Sequence, residues 1–386
     1  MINLYRERQK AWQRAGLQRG FRPVQGAQGA ELTCDGRTLL AFCSNDYLGL
    51  ANDPRVREAA ASALTHYGVG AGASALVCGY SDVQAELERE LAEWLGQARS
   101  LVFSSGYLAH LGVLPVLVDQ NTAVFSDALN HASLIDGIRL ARPGALTVYP
   151  HADMNALEQA LQQSSLRQRW IISDGVFSMD GDVAPLHDLA DLAERHGAGL
   201  LIDDAHGVGV LGAQGRGSVA ESGIRGEHVL TTVTFGKALG SSGAGVVGSQ
   251  ALVDWLAQRA RTHMFSTALP PLVCAATRKA IECARAEEFR RDQLRNLGKR
   301  LQMGLREQGL PVVPSVTAIH PVMVGDNRRV MKMAEALQAL GIWVAPIRPP
   351  TVPDGTARLR ISLSAVHEME QVDCLVSALS QVWRKE

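Results

Sequence analysis

From about residue 100 the chain alternates between short apolar runs and amphipathic stretches, and this alternation restricts the possible folds more than any other feature. "RSLVFSS", "TAVFSD", "RWIISDG", "GLLIDDA" and "VLTTVTFG" read as strands. "GYLAHLGVLPVL", "HASLIDGIRLA" and "PLHDLADLAERHG" read as the helices between them. Buried strands linked by amphipathic helices make βαβ units, so a mostly parallel sheet between two helical layers is expected.

The flanks read differently. Residues 1 to about 20 form a charged amphipathic pattern, followed by a short β-like piece, "RTLLAFCSNDYLGL". Ser81 and Gln84 are spaced as a capping box before a helix that carries Leu87, Leu91, Trp94 and Leu95 on one face. Past residue 285 a long charged helix, three β-like runs and two further helices suggest a smaller α+β domain. The expected division is 1–50 for an N-terminal helix and β segment, 51–285 for the large α/β domain, and 286–386 for the small C-terminal domain. A length of 386 residues suits two or three such units. A net charge of −1 with no basic block argues against nucleic acid as a partner. No apolar run reaches bilayer length, and "MINLYRERQKAWQRAG" lacks the apolar core of a signal peptide. The six cysteines are scattered without CxxC spacing, which argues against a metal site and fits reduced thiols in the cytoplasm.

Two glycine patterns are decoys. "GVGVLG" (207–212) follows a strand and matches GxGxxG, but the text after it, "AQGRGSVAESG", is a poor helix, so a glycine-rich connection fits better than a dinucleotide site. "TFGKA" lacks both ends of a P-loop. "GVGAGAS" (68–74) fits an anion-binding nest and a plain loop equally well.

The informative residues stand after strand ends. Only six of the 38 basic residues are lysines, and Lys237, in "TFGKALGSSGAG", sits among small residues just past a strand. "LLIDDAHG" puts Asp203, Asp204 and His206 at another strand end. Ligand sites of open α/β sheets lie there. Strand parity does not decide which aspartate faces the crevice: a persisting strand pairs Asp204 with His206, and a turn starting at Asp204 removes that parity. Each aspartate also suits a structural turn, and a lone lysine after a strand is usually a surface residue. A partly desolvated lysine amine, by contrast, is a nucleophile toward aldehydes. Pyridoxal phosphate needs such a lysine, a carboxylate for its ring nitrogen and a cradle for its phosphate. "SSGYLAHLGVL" offers that cradle as a helix N-terminus at Gly106. His131 suits either stacking on a flat ring or an ordinary helix start, and its residues alone favour the latter.

Taken together, "SNDYLGL", "SSGYLAH", "ALNHASLIDG", "DGVFSMDGD", "DDAHGVGVLG", "TFGKALGSSGAG", "FSTALPP" and "IRPPTVPDGTARLRIS" resemble the α-oxoamine synthases, which are fold-type I pyridoxal phosphate (PLP) enzymes. The resemblance covers nearly the whole chain. It implies an aspartate aminotransferase-like fold with a mostly parallel seven-stranded sheet. It implies that Lys237 holds PLP covalently, that Asp203 pairs with the ring nitrogen, that His206 bonds the phenolic oxygen and that His131 stacks on the ring. Gly106 and Tyr107 would present N–H groups to the phosphate, with Ser178 and Thr234 nearby. Ser266 and Thr267 would reach the phosphate of a neighbouring subunit, which makes a homodimer with shared sites. Arg19, Thr351 and Arg360 resemble substrate-contacting positions, with Arg360 suited to an amino-acid carboxylate. "IRPPTVP" points within the family to condensation of L-alanine with a pimeloyl thioester, carried on coenzyme A or acyl carrier protein. The sibling reaction, glycine with acetyl-CoA, is the alternative, and an aminotransferase, a lyase or a non-catalytic phosphate-binding protein are more remote ones.

Overall fold

The computed structural model describes residues 1–14 and 17–385. The chain divides into two compact units. The larger holds residues 45–178 and 182–292, and the smaller holds 1–44, 179–181 and 293–386.

The large unit is built on seven strands: β1 (Arg99–Phe103), β2 (Thr122–Asp127), β3 (Ala145–Tyr149), β4 (Gln168–Asp174), β5 (Gly199–Asp203), β6 (Val229–Thr234) and β7 (Ala244–Gly248). Their order is β1-β7-β6-β5-β4-β2-β3. β7 runs antiparallel to both neighbours, and the pairings from β6 to β3 are parallel. The expected mostly parallel, seven-stranded sheet is the one observed.

Successive apolar residues serve opposite faces, as a pleated strand requires. Ile171, Leu200 and Ile202 enter one core, while Ile172, Leu201 and Leu230 enter the other. Each such fully buried side chain contributes about 1.5–3 kcal/mol relative to exposure. That double burial is why these strands read as continuous apolar runs. The helix Asp82–Leu95 starts where its cap predicts: the Gln84 N–H donates to Ser81 Oγ at 3.3 Å. Leu87, Leu91, Trp94 and Leu95 are its buried stripe.

In the small unit, an antiparallel sheet joins Ile319–Gly325, Ala357–Ser362 and Ala345–Ile347. A second sheet carries Glu31–Cys34, Arg37–Ala41 and Ile342–Trp343, so N- and C-terminal segments share one fold. The N-terminal helix spans Ile2–Arg14 and buries no residue. Residues 17–20 are irregular, so the helix is shorter than its charge pattern suggests. An isolated polar helix with no buried face has little to extend it.

Candidate active site

The parallel strands of the large unit end in register. Asp174 of β4 lies opposite Asp203 of β5, and Asp203 opposite Thr232 of β6. Lys237 follows three residues after β6 ends. Candidate side chains from distant sequence positions therefore gather at one edge, the carboxyl edge that open α/β sheets use for ligands.

β5 stops at Asp203, and the turn begins at Asp204. The parity question is thereby answered. Asp204 is fully buried, and its carboxylate accepts from the Ser218 N–H at 2.8 Å and from Ser218 Oγ at 2.6 Å. Burial pushes the Asp204 carboxyl up to about 7. It is the structural member of the pair, and it explains the glycine decoy. A Cβ on Gly207 would sit 1.9 Å from Asp204 Oδ1, and one on Gly217 2.1 Å from Oδ2. The glycines make room for a carboxylate of the chain itself, and the next helix, Ser218–Glu221, has only four residues.

Asp203, the other member of the pair, is also buried. Its Oδ1 accepts from the Ala205 N–H at 3.0 Å, and its Oδ2 lies 3.8 Å from His110 Nε2. His206 is buried and bridges two groups. Its Nε2 is 2.8 Å from Lys237 Nζ, and its Nδ1 is 2.7 Å from the Tyr47 hydroxyl. That hydroxyl donates to Asn45 Oδ1 at 3.1 Å. The chain of bonds therefore runs one way: lysine donates to Nε2, Nδ1–H donates to tyrosine, and tyrosine donates to asparagine. Tyr47 and Asn45 had no role in the sequence reading, although both lie in the "SNDYLGL" motif.

His131 is the N-cap of α2 (Ala132–Ala141), and its Nδ1 accepts from the Ser133 N–H at 3.3 Å. The ordinary helix-start reading is thus structurally true, and His131 is also exposed. The backbone is pinned on both sides. The His131 N–H donates to Asp174 Oδ2 at 2.6 Å, and Asn130 Nδ2 donates to the Ile172 carbonyl at 2.8 Å. Burial, reinforced by the charge of Asp203, raises the Asp174 carboxyl well above the usual range.

The helix start at Gly106, the expected phosphate cradle, is built as follows. α1 (Gly106–Leu117) is capped by Ser105, whose Oγ accepts from the Leu108 N–H at 3.2 Å. The first-turn amides of Gly106 and Tyr107 have no acceptor within the helix. A Cβ on Gly106 would meet Thr234 Cγ2 at 2.5 Å, so glycine brings the helix start close against β6. The Tyr107 phenol donates to Asp136. Thr234 Oγ1 and Thr232 Oγ1 are buried without hydrogen-bond partners among the described residues. Open N–H groups, unpartnered hydroxyls, one lysine and one carboxylate are the donor set that PLP requires. Ser178 stands half-buried in the segment after β4. Ser266 is half-buried and Thr267 exposed, and Thr267 pairs with Ser74 as an isolated bridge.

The three remaining residues belong to the small unit. Arg19 Nη2 donates to Thr351 Oγ1 at 2.9 Å, which joins two positions 332 residues apart. Arg360 is buried in its strand, with Nη1 donating to Ser362 Oγ at 2.8 Å. The neighbouring Arg358 pairs instead with Asp180.

Fold and site together define a fold-type I transferase, the architecture of PLP-dependent enzymes. The chain belongs to the aminotransferase class I and II family, whose model matches residues 37–379. It is 48% identical over 374 residues to 8-amino-7-oxononanoate synthase of Herminiimonas arsenicoxydans, covering 96% of both chains. It is 50% identical to 8-amino-7-oxononanoate synthase 1 of Polaromonas sp., covering 96% of this chain and 93% of that one. Among solved structures it resembles serine palmitoyltransferase of S. paucimobilis with bound PLP and myriocin, at a TM-score of 0.93 and 28% identity over 99% of this chain and 97% of that one. It also resembles 8-amino-7-oxononanoate synthase of Francisella tularensis, at a TM-score of 0.78 and 26% identity over 90% and 98%.

Proposed function

We propose that the chain is an 8-amino-7-oxononanoate synthase of biotin biosynthesis. It condenses L-alanine with a pimeloyl thioester, carried on coenzyme A or acyl carrier protein, and releases carbon dioxide and the thiol carrier. The observation that carries the proposal is the Lys237–His206–Tyr47 chain beside Asp203, in a protein about half identical over its length to relatives of that name.

When bound, PLP supplies an electron sink that makes the Cα–H of an amino acid acidic. The residues do the rest. Lys237 would hold the cofactor, and its Nζ amine would be the group that accepts the Cα proton. Asp203 keeps a proton on the ring nitrogen, and His206 fixes the phenolic side while orienting the lysine. His131 covers the ring face. The Gly106 and Tyr107 N–H groups and Thr234 hold the phosphate side, with Ser178 near the cofactor. Arg360 takes the alanine carboxylate in a bidentate grip, and Arg19 and Thr351 bind substrate as a hydrogen-bonded pair.

The enzyme works as a homodimer, in which Ser266 and Thr267 of one protomer complete the phosphate site of the other. Exposed apolar residues such as Phe265, Val77 and Leu76 support a covered surface in that region. It acts in the cytoplasm, where its six free cysteines stay reduced. The test is reconstitution with PLP. Wild type turns yellow and makes product, whereas Lys237→Ala gives neither the lysine-bound colour nor turnover. Full activity in that variant contradicts the proposal.

A further inference from the structure

The N-terminal helix Ile2–Arg14 has no part in the roles above. It buries none of its 13 residues, and a helix of that length with no covered face is marginal in water. Its charges are sorted around the axis. Arg6, Lys10 and Arg14 stand at i, i+4 and i+8, so they form one row about 12 Å long, with about 6 Å between neighbours. With Arg8, the helix carries four basic residues against the single acidic Glu7. Among the described residues, none of the three cations in the row pairs with a carboxylate. Arg14 Nε donates to the Lys10 carbonyl at 3.4 Å. Ile2, Tyr5 and Trp12 are exposed on the same helix.

The segment after the helix is fastened to the proposed substrate pair. The Leu17 N–H donates to the Trp12 carbonyl at 3.1 Å. Arg348, a buried side chain, donates from Nη2 to the Gln18 carbonyl at 2.9 Å. Arg19 then donates to Thr351 Oγ1 at 2.9 Å. The end of the basic row, Arg14, is therefore within at most about 18 Å of chain from Arg19.

Sites for small molecules are concave. An exposed helix is convex, so its row of single charges suits the face of another macromolecule better than the phosphates of a free coenzyme. Carboxylates one helical turn apart on a partner helix would meet cations one turn apart, and such complementarity steers encounter and fixes register. Of the two thioester carriers, acyl carrier protein is the small, acidic, helical one. Tyr5 and Trp12 add residue types that interfaces favour.

We propose that the basic face of this helix docks the acidic surface of acyl carrier protein, and so delivers a carrier-borne acyl donor beside Arg19 and Thr351. The inference rests on the reading of the chain as a condensing enzyme for a pimeloyl thioester, and adds which carrier it takes and where that carrier lands.

The experiment compares PLP-loaded wild type with the charge reversal Arg6→Glu, Lys10→Glu, Arg14→Glu. Fluorescently labelled pimeloyl-acyl carrier protein is titrated first, and product formation from that donor and from pimeloyl-CoA is measured second. Wild type binds the carrier protein with an affinity that falls as salt rises. The charge reversal weakens that binding, and raises KM for the carrier-borne donor, about tenfold, the scale of several exposed ion pairs. Its kcat, and its KM for pimeloyl-CoA, stay at wild-type values. Arg6→Lys with Arg14→Lys binds like wild type, because a row of point charges needs no bidentate fork. Salt-sensitive binding that the charge reversal abolishes, without product from either donor, supports the docking and refutes the condensation reading instead. Equal carrier-protein binding in wild type and the charge reversal overturns the proposal. So does a loss with pimeloyl-CoA as large as that with the carrier protein. A dimer that the charge reversal splits in sedimentation, or wild type that binds phosphatidylglycerol vesicles and not the carrier protein, overturns it as well, by giving the helix a different occupant.

Discussion

At the residue scale, adjacent aspartates have opposite duties because a strand ends between them. Asp203 closes β5 with its carboxylate beside His110, while Asp204 turns back to hold Ser218. Asp203→Asn is predicted to retain PLP binding but to slow Cα deprotonation by about 10²–10³-fold, the usual effect of removing one electrostatic stabiliser. Exchange of the alanine Cα proton for deuterium measures this, and an unchanged exchange rate refutes the role. Gly207→Ala should leave the catalytic groups in place yet destabilise the fold by about 1–3 kcal/mol, since its Cβ would overlap Asp204 Oδ1. A denaturant midpoint equal to wild type would contradict that reading of the glycine.

His151 supplies a pH test at the same scale. Its Nδ1 bonds Asp127 Oδ1 at 3.0 Å and its Nε2 bonds Asp182 Oδ2 at 2.8 Å. The hydrogen bonds to Asp127 and then Asp182 raise it to about 10 from an ordinary value of 6.5. A raised histidine stabilises fully below the unfolded value and loses that contribution as pH climbs to the folded one. The stability gap between wild type and His151→Gln should therefore be widest near pH 6 and close as pH nears 10. A gap that grows with pH would reverse the sign and the account.

At the element scale, α1 and β6 meet at one glycine. Gly106→Ala is predicted to weaken PLP binding, because the added Cβ pushes against Thr234 Cγ2 and moves the helix start. Ser105→Ala removes the cap of the same helix and should cost about 1 kcal/mol of stability. An unaltered cofactor dissociation constant in Gly106→Ala would mean that this helix start is not the phosphate cradle. The elements themselves were legible. Double-sided burial writes continuous apolar runs into β4 and β5, and Ser81, Leu87 and Leu91 mark a helix by cap and stripe. The lysine and its neighbours were legible because glycines and serines around a lone Lys237 suit few surfaces. Other features were not. The turn of Asp204 out of β5 goes with its bonds to Ser218, fourteen residues later, and no local pattern encodes it. Tyr47 lay inside a recognised motif, but its partner His206 is 159 residues away. His110 read as one more residue of an apolar helix, and only the packing of α1 against α2 gives it Ser133.

At the scale of the whole molecule, the two units respond to pH from opposite sides. His320 and His367 of the small unit are buried, and burial lowers both to about 4. A depressed histidine leaves stability intact above about 6.5 and erodes it as pH falls through the folded value, because the unfolded chain takes up the proton first. Amide exchange should accordingly show protection in the strand Ile319–Gly325 falling between about pH 6.5 and 4. Equal protection across that range would contradict the assignment.

The most direct measurement for the molecule as a whole is release of labelled carbon dioxide from carboxyl-labelled L-alanine by the PLP-loaded protein, with and without pimeloyl-CoA. The account predicts release that depends on the pimeloyl thioester and is matched by formation of 8-amino-7-oxononanoate. Turnover of glycine with acetyl-CoA in place of that pair, or no thioester-dependent release at all, would contradict it.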